Sequence, residues 1–297
     1  MLFVVPFGFL LRVLTASQEL AAVLLNSFFG ATGVALVFLF FKNLTQKYFE
    51  SLLLVGVFGM SISQLVFGSI PETYALTTCS IIASYILLLF CLQQQRVYSA
   101  CWLAARLFSF GVTITNFAQT VICSVVLLFA LVTDSSQFIT VDLSLSQPWL
   151  LFSKLFKHFL GVSFVSPAPF INRIAPETGR SILSFFAQPL DYKLLGWAAL
   201  TLWLVLSILG LLRSLQANCR SALLSAAALA VLFNMSLHTV FGTEELFLYT
   251  CNFTFPVLLL VVNPSLLKRG YFTWSLTLLI VLMGSNNLIV LGQIAAT

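Results

Sequence analysis

The chain has 297 residues, 60% of them apolar, 30 of them phenylalanine, and only 8% charged, at a mean hydropathy of +1.05. A soluble domain carries about 25% charged residues, so 14 lysines and arginines with 9 acids could not cover a water-facing globule of this size. The net charge of +5 does not indicate nucleic-acid binding either, because the basic residues come in ones and twos between apolar runs rather than in a stripe.

The composition predicts an all-α polytopic membrane protein, a single transmembrane domain over residues 1–297. A span needs about 20 apolar residues. Eight segments come close to that: 20–41, 51–69, 73–93, 111–133, 194–212, 221–237, 246–263 and 272–292. The N-terminus is apolar from Leu2 but has no basic region and no small-residue cleavage site, so no cleaved signal peptide is expected. The six cysteines, Cys79, Cys91, Cys101, Cys123, Cys219 and Cys251, show no metal-type spacing and read as small core residues.

Charge orients the spans. The connections with Lys42 and Lys47, Arg96 and Arg106, Arg213 and Arg220, and Lys268 and Arg269 fall on one side, which short basic loops mark as cytoplasmic. Residues 97–133 read either as a cytoplasmic-surface helix followed by one span, or as two short spans broken at Thr115-Asn116. The first is preferred, because the second carries Arg213, Arg220, Lys268 and Arg269 to the outer face. Both termini and the long hydrophilic region 134–193 then lie outside. So do eight of the nine acids, all but Glu50. That gathering points to chemistry or cation binding on the outer face, or reflects only the avoidance of an anionic inner leaflet.

Three constellations stand out. Ser69-Ile70-Pro71-Glu72-Thr73-Tyr74 opens the third span with the spacing of a capping box, Ser69 to Glu72, and with Pro71 in a first helical turn. Glu72 is either a cap alone, or a cap that also faces a cavity beside the Tyr74 phenol and binds a hydroxyl, a cation or a metal. The second, from His238 to Tyr249, joins the sixth and seventh spans. It sets His238 near Glu244 and Glu245, adjacent acids of which one at most looks inward, with Tyr249 four residues beyond Glu245 on its face. Thr243 as an N-cap explains the acids but not His238. The third, residues 149–160, spaces Trp149, Phe152, Leu155, Phe156, Phe159 and Leu160 as one apolar helix face opposite Lys154, Lys157 and His158. This predicts an external amphipathic helix in the interface. It either anchors the chain or, with Arg173 and Arg180, holds the phosphate of a lipid-linked substrate.

Three glycosylation sequons, at Asn43, Asn234 and Asn252, fall on the cytoplasmic side or within spans and read as chance. No phosphate-binding glycine loop, nucleophile elbow or HExxH is present in the sequence, and no internal repeat is visible.

Several of these runs also carry a resemblance. Glu19 through Asn26 with Phe29-Gly30-Ala31, then Val66 through Leu76, and Gly111-Val112-Thr113-Ile114-Thr115-Asn116, resemble membrane glycosyltransferases of the GT-C superfamily. Such families commonly carry an "LLN…G" span followed by a "PE-x-Y-A" helix start. The likeness covers roughly residues 19–116, and the Gly242-Thr243-Glu244-Glu245 turn more loosely. It implies transfer of a sugar from a polyprenyl- or dolichyl-phosphate donor on the outer leaflet. The superfamily usually places its acidic base in a loop after a first span, and here no acid precedes Glu19, so the resemblance implies a chain lacking that span and loop, truncated or inactive. The base would then be Glu72, Glu244 or Glu245. Tyr74, His238, Tyr249, Lys154, Lys157, His158, Arg173 and Arg180 would contact substrate, and the external acids would hold a divalent cation if one is used. The expected partners are membrane lipids and the lipid-linked sugar, in a plasma, inner or endomembrane. A transporter or flippase, or a non-catalytic membrane subunit, is the alternative; a transporter calls for ionisable residues near mid-span.

Overall fold

The computed structural model describes residues 4–132, 157–174, 181–184, 190–216, 222–240 and 246–296. Its helices are α1 (Val4–Thr15), α2 (Gln18–Thr45), α3 (Tyr48–Gly59), α4 (Ile62–Phe67), α5 (Tyr74–Gln94), α6 (Ser99–Val112), α7 (Ile114–Val132), α8 (Leu194–Gln216), α9 (Ala222–Val240), α10 (Thr254–Val261), α11 (Pro264–Leu267) and α12 (Gly270–Ala295). A π-helical turn covers Lys157–Val162 and a 3-10 segment Leu246–Asn252. Among the described residues the strands are a short antiparallel pairing of Phe170–Ile174 (β1) with Ser181–Ser184 (β2).

Five helices are long and apolar enough to cross a membrane: Gln18–Thr45, Tyr74–Gln94, Ile114–Leu131, Leu194–Arg213 and Gly270–Ala295. They fit a membrane-embedded, multi-pass helical protein. The expected span 221–237 corresponds to α9, whose stretch Ala222–His238 is apolar but shorter than those five. The expected spans 51–69 and 246–263 are not continuous helices. The first breaks between α3 and α4 at Met60-Ser61, where Ser61 is extended and its hydroxyl caps Gln64 N. The second passes from the 3-10 segment through Phe253 into α10.

Both breaks are possible because other buried elements satisfy the backbone groups they release. Away from water an unpaired peptide group costs several kcal/mol, so irregular backbone at membrane depth survives only inside protein. Ile62 N and Ser63 N donate to the carbonyls of Phe164 and Ser163, both 3.1 Å away. The Met60 carbonyl accepts from Asn287 Nδ2 at 2.8 Å. At the second break Thr250 Oγ1 lies 3.0 Å from Ser63 Oγ, and Thr78 Oγ1 lies 3.3 Å from the Cys251 carbonyl. The two interruptions therefore meet at Ser63–Thr250, with residues 163–166 closing over one side.

This overturns part of the amphipathic helix expected over 149–160. Residues 149–156 lie outside the described residues. Beyond them the chain enters the bundle: His158, Phe159, Gly161 and Val162 are buried, and Lys157 alone of the turn is exposed. Trp203 Nε1 donates to the Leu160 carbonyl and Phe164 stacks on Trp203 at 4.0 Å. An interfacial helix would have kept His158 in water; a tight π-turn buries it instead.

Pairwise contacts give the helix directions. Gly33 abuts Thr78 and Cys79, and Gln93 bonds the Asn43 carbonyl, so α2 and α5 run parallel. Gly56 meets Ile280 and Gly284 meets Met60, so α12 runs parallel to α3. Phe255 packs at 5.2–6.4 Å from Phe40, Phe41, Phe58 and Tyr85, which makes it the hub of the core and sets α10 alongside the lower half of α5. The carbonyl of Val261 fills the place of a side chain at Gly210, which brings the end of α8 to the end of α10. Lys42, Lys47, Arg96, Arg213, Lys268 and Arg269 thus share one end of the bundle, here termed the basic end. Glu50 is there too, paired with Lys47, while Glu19 and Glu72 are at the other end.

The helix 99–112 differs from the preferred expectation of a helix lying apart on the surface. Phe90 meets Tyr98 and Ser80 bonds Ser109, so α6 climbs antiparallel along α5. After Thr113 the chain turns into α7, which runs parallel to α5: Asn116 bonds the Thr77 carbonyl and Thr120 bonds Ser84. The reason is a seam of small hydroxyl residues. Ser80, Ser84, Ser109 and Thr120 are all buried, and their mutual bonds of 2.7–2.9 Å let three helices approach closely, the kind of packing that apolar chains cannot drive in lipid. α7 therefore ends at the basic end, whereas the span expected over 111–133 ends on the acidic side.

Candidate functional site

At the acidic end α2 and α4 touch glycine to glycine. A Cβ on Gly30 would stand 3.0 Å from the Gly68 Cα, so only glycine permits this approach. Two amides tie the contact: Asn26 Nδ2 donates to the Phe67 carbonyl at 2.7 Å and Gln64 Nε2 to the Gly30 carbonyl at 2.9 Å. Phe67 ends α4, and residues 68–73 turn from there into α5. Asn26 and Gly30, the polar and small positions of the "LLN…G" run, thus dock the turn that carries Glu72.

That turn is not the expected capping box. The Ser69 hydroxyl donates back to the Leu65 carbonyl, α5 begins only at Tyr74, and its N-cap Thr73 makes no side-chain cap bond. Pro71 precedes the helix rather than filling its first turn. With Ser69 turned back into α4, Glu72 is exposed and not engaged as a cap partner of Ser69. It lines a cavity of about 150 Å³ together with Asn26, Phe29, Pro71, Thr73 and Leu76. Tyr74 is not part of this lining. Its ring lies on Phe67 at 4.7 Å, and Phe67 stacks in turn on Phe247 at 5.3 Å. The phenol and the carboxylate, expected side by side, leave the turn in different directions.

The second constellation comes together in part. His238 at the end of α9 is buried, stacks on Tyr249 at 4.2 Å, and meets the edge of Phe159 at 6.0 Å. His158, next to Phe159, is buried as well. Both histidines of the chain are therefore interior. Glu244 and Glu245 lie outside the described residues, but Phe247, two residues on, touches Phe67 beside the Glu72 turn.

The cations expected to hold a phosphate are not gathered among the described residues. Lys154 and Arg180 lie outside them, Arg173 is placed by its backbone on β1 opposite Ile182, and Lys157 is exposed at the start of the π-turn. No cluster of three or more His, Cys, Asp or Glu able to hold a metal occurs among the described residues.

Sequence reasoning missed Gln64, Asn286 and Asn287. Asn287 Nδ2 donates to Phe164 O as well as to Met60 O, its Oδ1 accepts from Ser166 N, and Asn286 donates to Ser166 O. The visible signal was an Asn-Asn pair in mid-span, where an amide is costly unless it serves backbone. Tyr192, which precedes α8, donates to the Val165 carbonyl at 3.0 Å, and burial pushes its phenol up from the usual value.

Chemically, the Glu72 cavity offers a carboxylate at a water-accessible mouth, a buried amide at its wall and apolar sides. That set can orient a hydroxyl group and accept its proton. Comparison with family models, with curated proteins and with solved structures finds no match to this chain.

Proposed function

We propose that the chain is a membrane glycosyltransferase of the lipid-linked-sugar type, with Glu72 as the general base of a site at the acidic end of the bundle. The observation that carries this reading is that Asn26 and Glu72, drawn from the two separate runs of the resemblance, line one cavity. In the reaction the acceptor hydroxyl gives its proton to the Glu72 carboxylate, its oxygen bonds to the sugar's anomeric carbon, and the lipid phosphate leaves with the electrons of the broken C–O bond. Asn26 Oδ1 is an acceptor for a sugar hydroxyl, its Nδ2 being engaged by Phe67. Glu244 and Glu245 join this site in the proposal because Phe247 packs against Phe67. His238 and Tyr249 form an aromatic wall behind it, and Lys157 with Lys154, Arg173 and Arg180 is assigned to the departing phosphate.

The alternative of a transport route draws no support from Arg106, the one candidate cation for it. Its neighbours Leu103, Leu107 and Phe110 are exposed on the bundle surface, so it stands at the rim of α6 and not on an interior path.

The test is sugar transfer from a polyprenyl-phosphate donor by the purified full chain in liposomes, with Glu72→Gln, Glu244→Gln and Glu245→Gln made singly. Glu72→Gln should lower transfer by about a hundredfold or more with an unchanged melting temperature, the usual range for loss of a general base. Full activity in all three variants would remove the assignment of the base, and absence of transfer by the wild-type chain with every polyprenyl-phosphate sugar would remove the function.

A further inference from the structure

Arg106 sits on α6 seven residues beyond Ser99, about 10 Å along the axis from the helix start at the basic end. Its Nη2 donates to Ser124 Oγ on α7, while its Nε is sealed from solvent and has no hydrogen-bond partner. No carboxylate pairs with it among the described residues, where Lys47–Glu50 is the sole ion pair. A guanidinium cannot shed its proton, so an unneutralised one inside the hydrocarbon region is costly and calls for an anion. The groove around it is apolar and open: Leu103, Leu107 and Phe110 are 59–63% exposed, and Leu128 on α7 is 47% exposed. A helical side chain leans toward the helix N-terminus, here the basic end, so the guanidinium is drawn from mid-bundle toward the headgroups of that leaflet.

We propose that Arg106, seated with Ser124 in the α6–α7 groove, binds the phosphate of an anionic phospholipid whose acyl chains lie along Leu103, Leu107, Phe110 and Leu128. Phosphate oxygens match the planar fork of arginine, and the lipid supplies at once the missing negative charge and the apolar cover that a free ion lacks. The site does not include Glu72 and is independent of the glycosyltransferase reading.

The full chain is titrated with phosphatidylglycerol or phosphatidylcholine and followed by native mass spectrometry and by the shift in melting temperature. Soluble glycerol phosphate serves as the headgroup without chains. The wild type should retain phosphatidylglycerol about tenfold over phosphatidylcholine, the ratio given by one charge-assisted contact. Arg106→Gln should lose that preference, Arg106→Lys should keep part of it, and Lys47→Gln, a basic-end control, should keep it whole. Glycerol phosphate should shift nothing. Equal retention of the two lipids by the wild type, an undiminished preference in Arg106→Gln, or a shift by glycerol phosphate matching that of the lipid would each overturn the proposal. If Arg106→Gln does not fold, Arg106→Lys and Ser124→Ala carry the comparison, and an undiminished preference in both overturns it too.

Discussion

Asn287 reaches from α12 to the carbonyl of Met60, where α3 stops, and to the carbonyl of Phe164, in the segment packed over that stop. One side-chain amide thus satisfies backbone groups from two distant stretches of chain, and its oxygen takes the Ser166 N–H of the second. The interrupted helix is held open by a residue that contributes nothing to it in sequence.

Replacing Asn287 with leucine leaves two buried backbone groups, the Met60 carbonyl and the Ser166 N–H, without this partner, while the Phe164 carbonyl keeps its bond from Ile62 N. At about 1–3 kcal/mol for each such group, the expected loss is several kcal/mol of stability. Thermal unfolding in detergent should show Asn287→Leu as the most damaging single substitution in α12, with Asn286→Leu, which leaves only Ser166 O, milder. Equal melting temperatures for Asn287→Leu and wild type would show that the break does not depend on this amide.

Gly30→Ala forces its methyl against the Gly68 backbone, which has no flexible end to move aside. Overpacking of this kind costs about 1–3 kcal/mol. Because the strain falls on the turn that carries Glu72, the proposed function requires that the variant lose sugar transfer more steeply than it loses stability. Gly292→Ala, with nothing within 4 Å, should change neither. Measured melting temperature and transfer rate for the two variants check the contrast.

The α6–α7 arrangement makes a prediction about sidedness. In sealed vesicles carrying single-cysteine variants of a cysteine-free chain, Ser69→Cys and Ile114→Cys should react with an impermeant maleimide from one side. Asn43→Cys and Gln95→Cys should react from the other. A surface-lying 99–112 helix would instead put Ile114 on the side of Gln95.

Tyr192 gives stability a pH dependence. Its folded pKa is raised by burial, so the unfolded chain releases the proton first as pH climbs. The contribution is whole below the unfolded value of about 10 and is lost as pH rises above it. The melting temperature should fall above about pH 10, less steeply in Tyr192→Phe, which also forfeits the bond to Val165 and costs about 1 kcal/mol at neutral pH.

The sequence by itself determined that this chain fits a membrane, because apolar composition and run length depend on the solvent and not on partners. It also located five long helices to within a few residues and named Glu72 as a group at a helix start. Which spans are broken was decided only by tertiary structure. Residues 51–69 and 246–263 are as apolar as the rest, and the one local breaker is Pro256, in the first turn of α10; the breaks persist because Asn287, Phe164 and Thr78 satisfy the groups they release. The same holds for α6, whose short length reads as a surface helix until Ser80, Ser109 and Thr120 meet. The cavity beside Glu72 depends on Gly30 meeting Gly68 across two helices, a contact whose partners are far apart in the chain and carry no local signal. Hydropathy is a property of single segments, whereas the satisfaction of buried polar groups is a property of pairs, and only the folded bundle brings the pairs together.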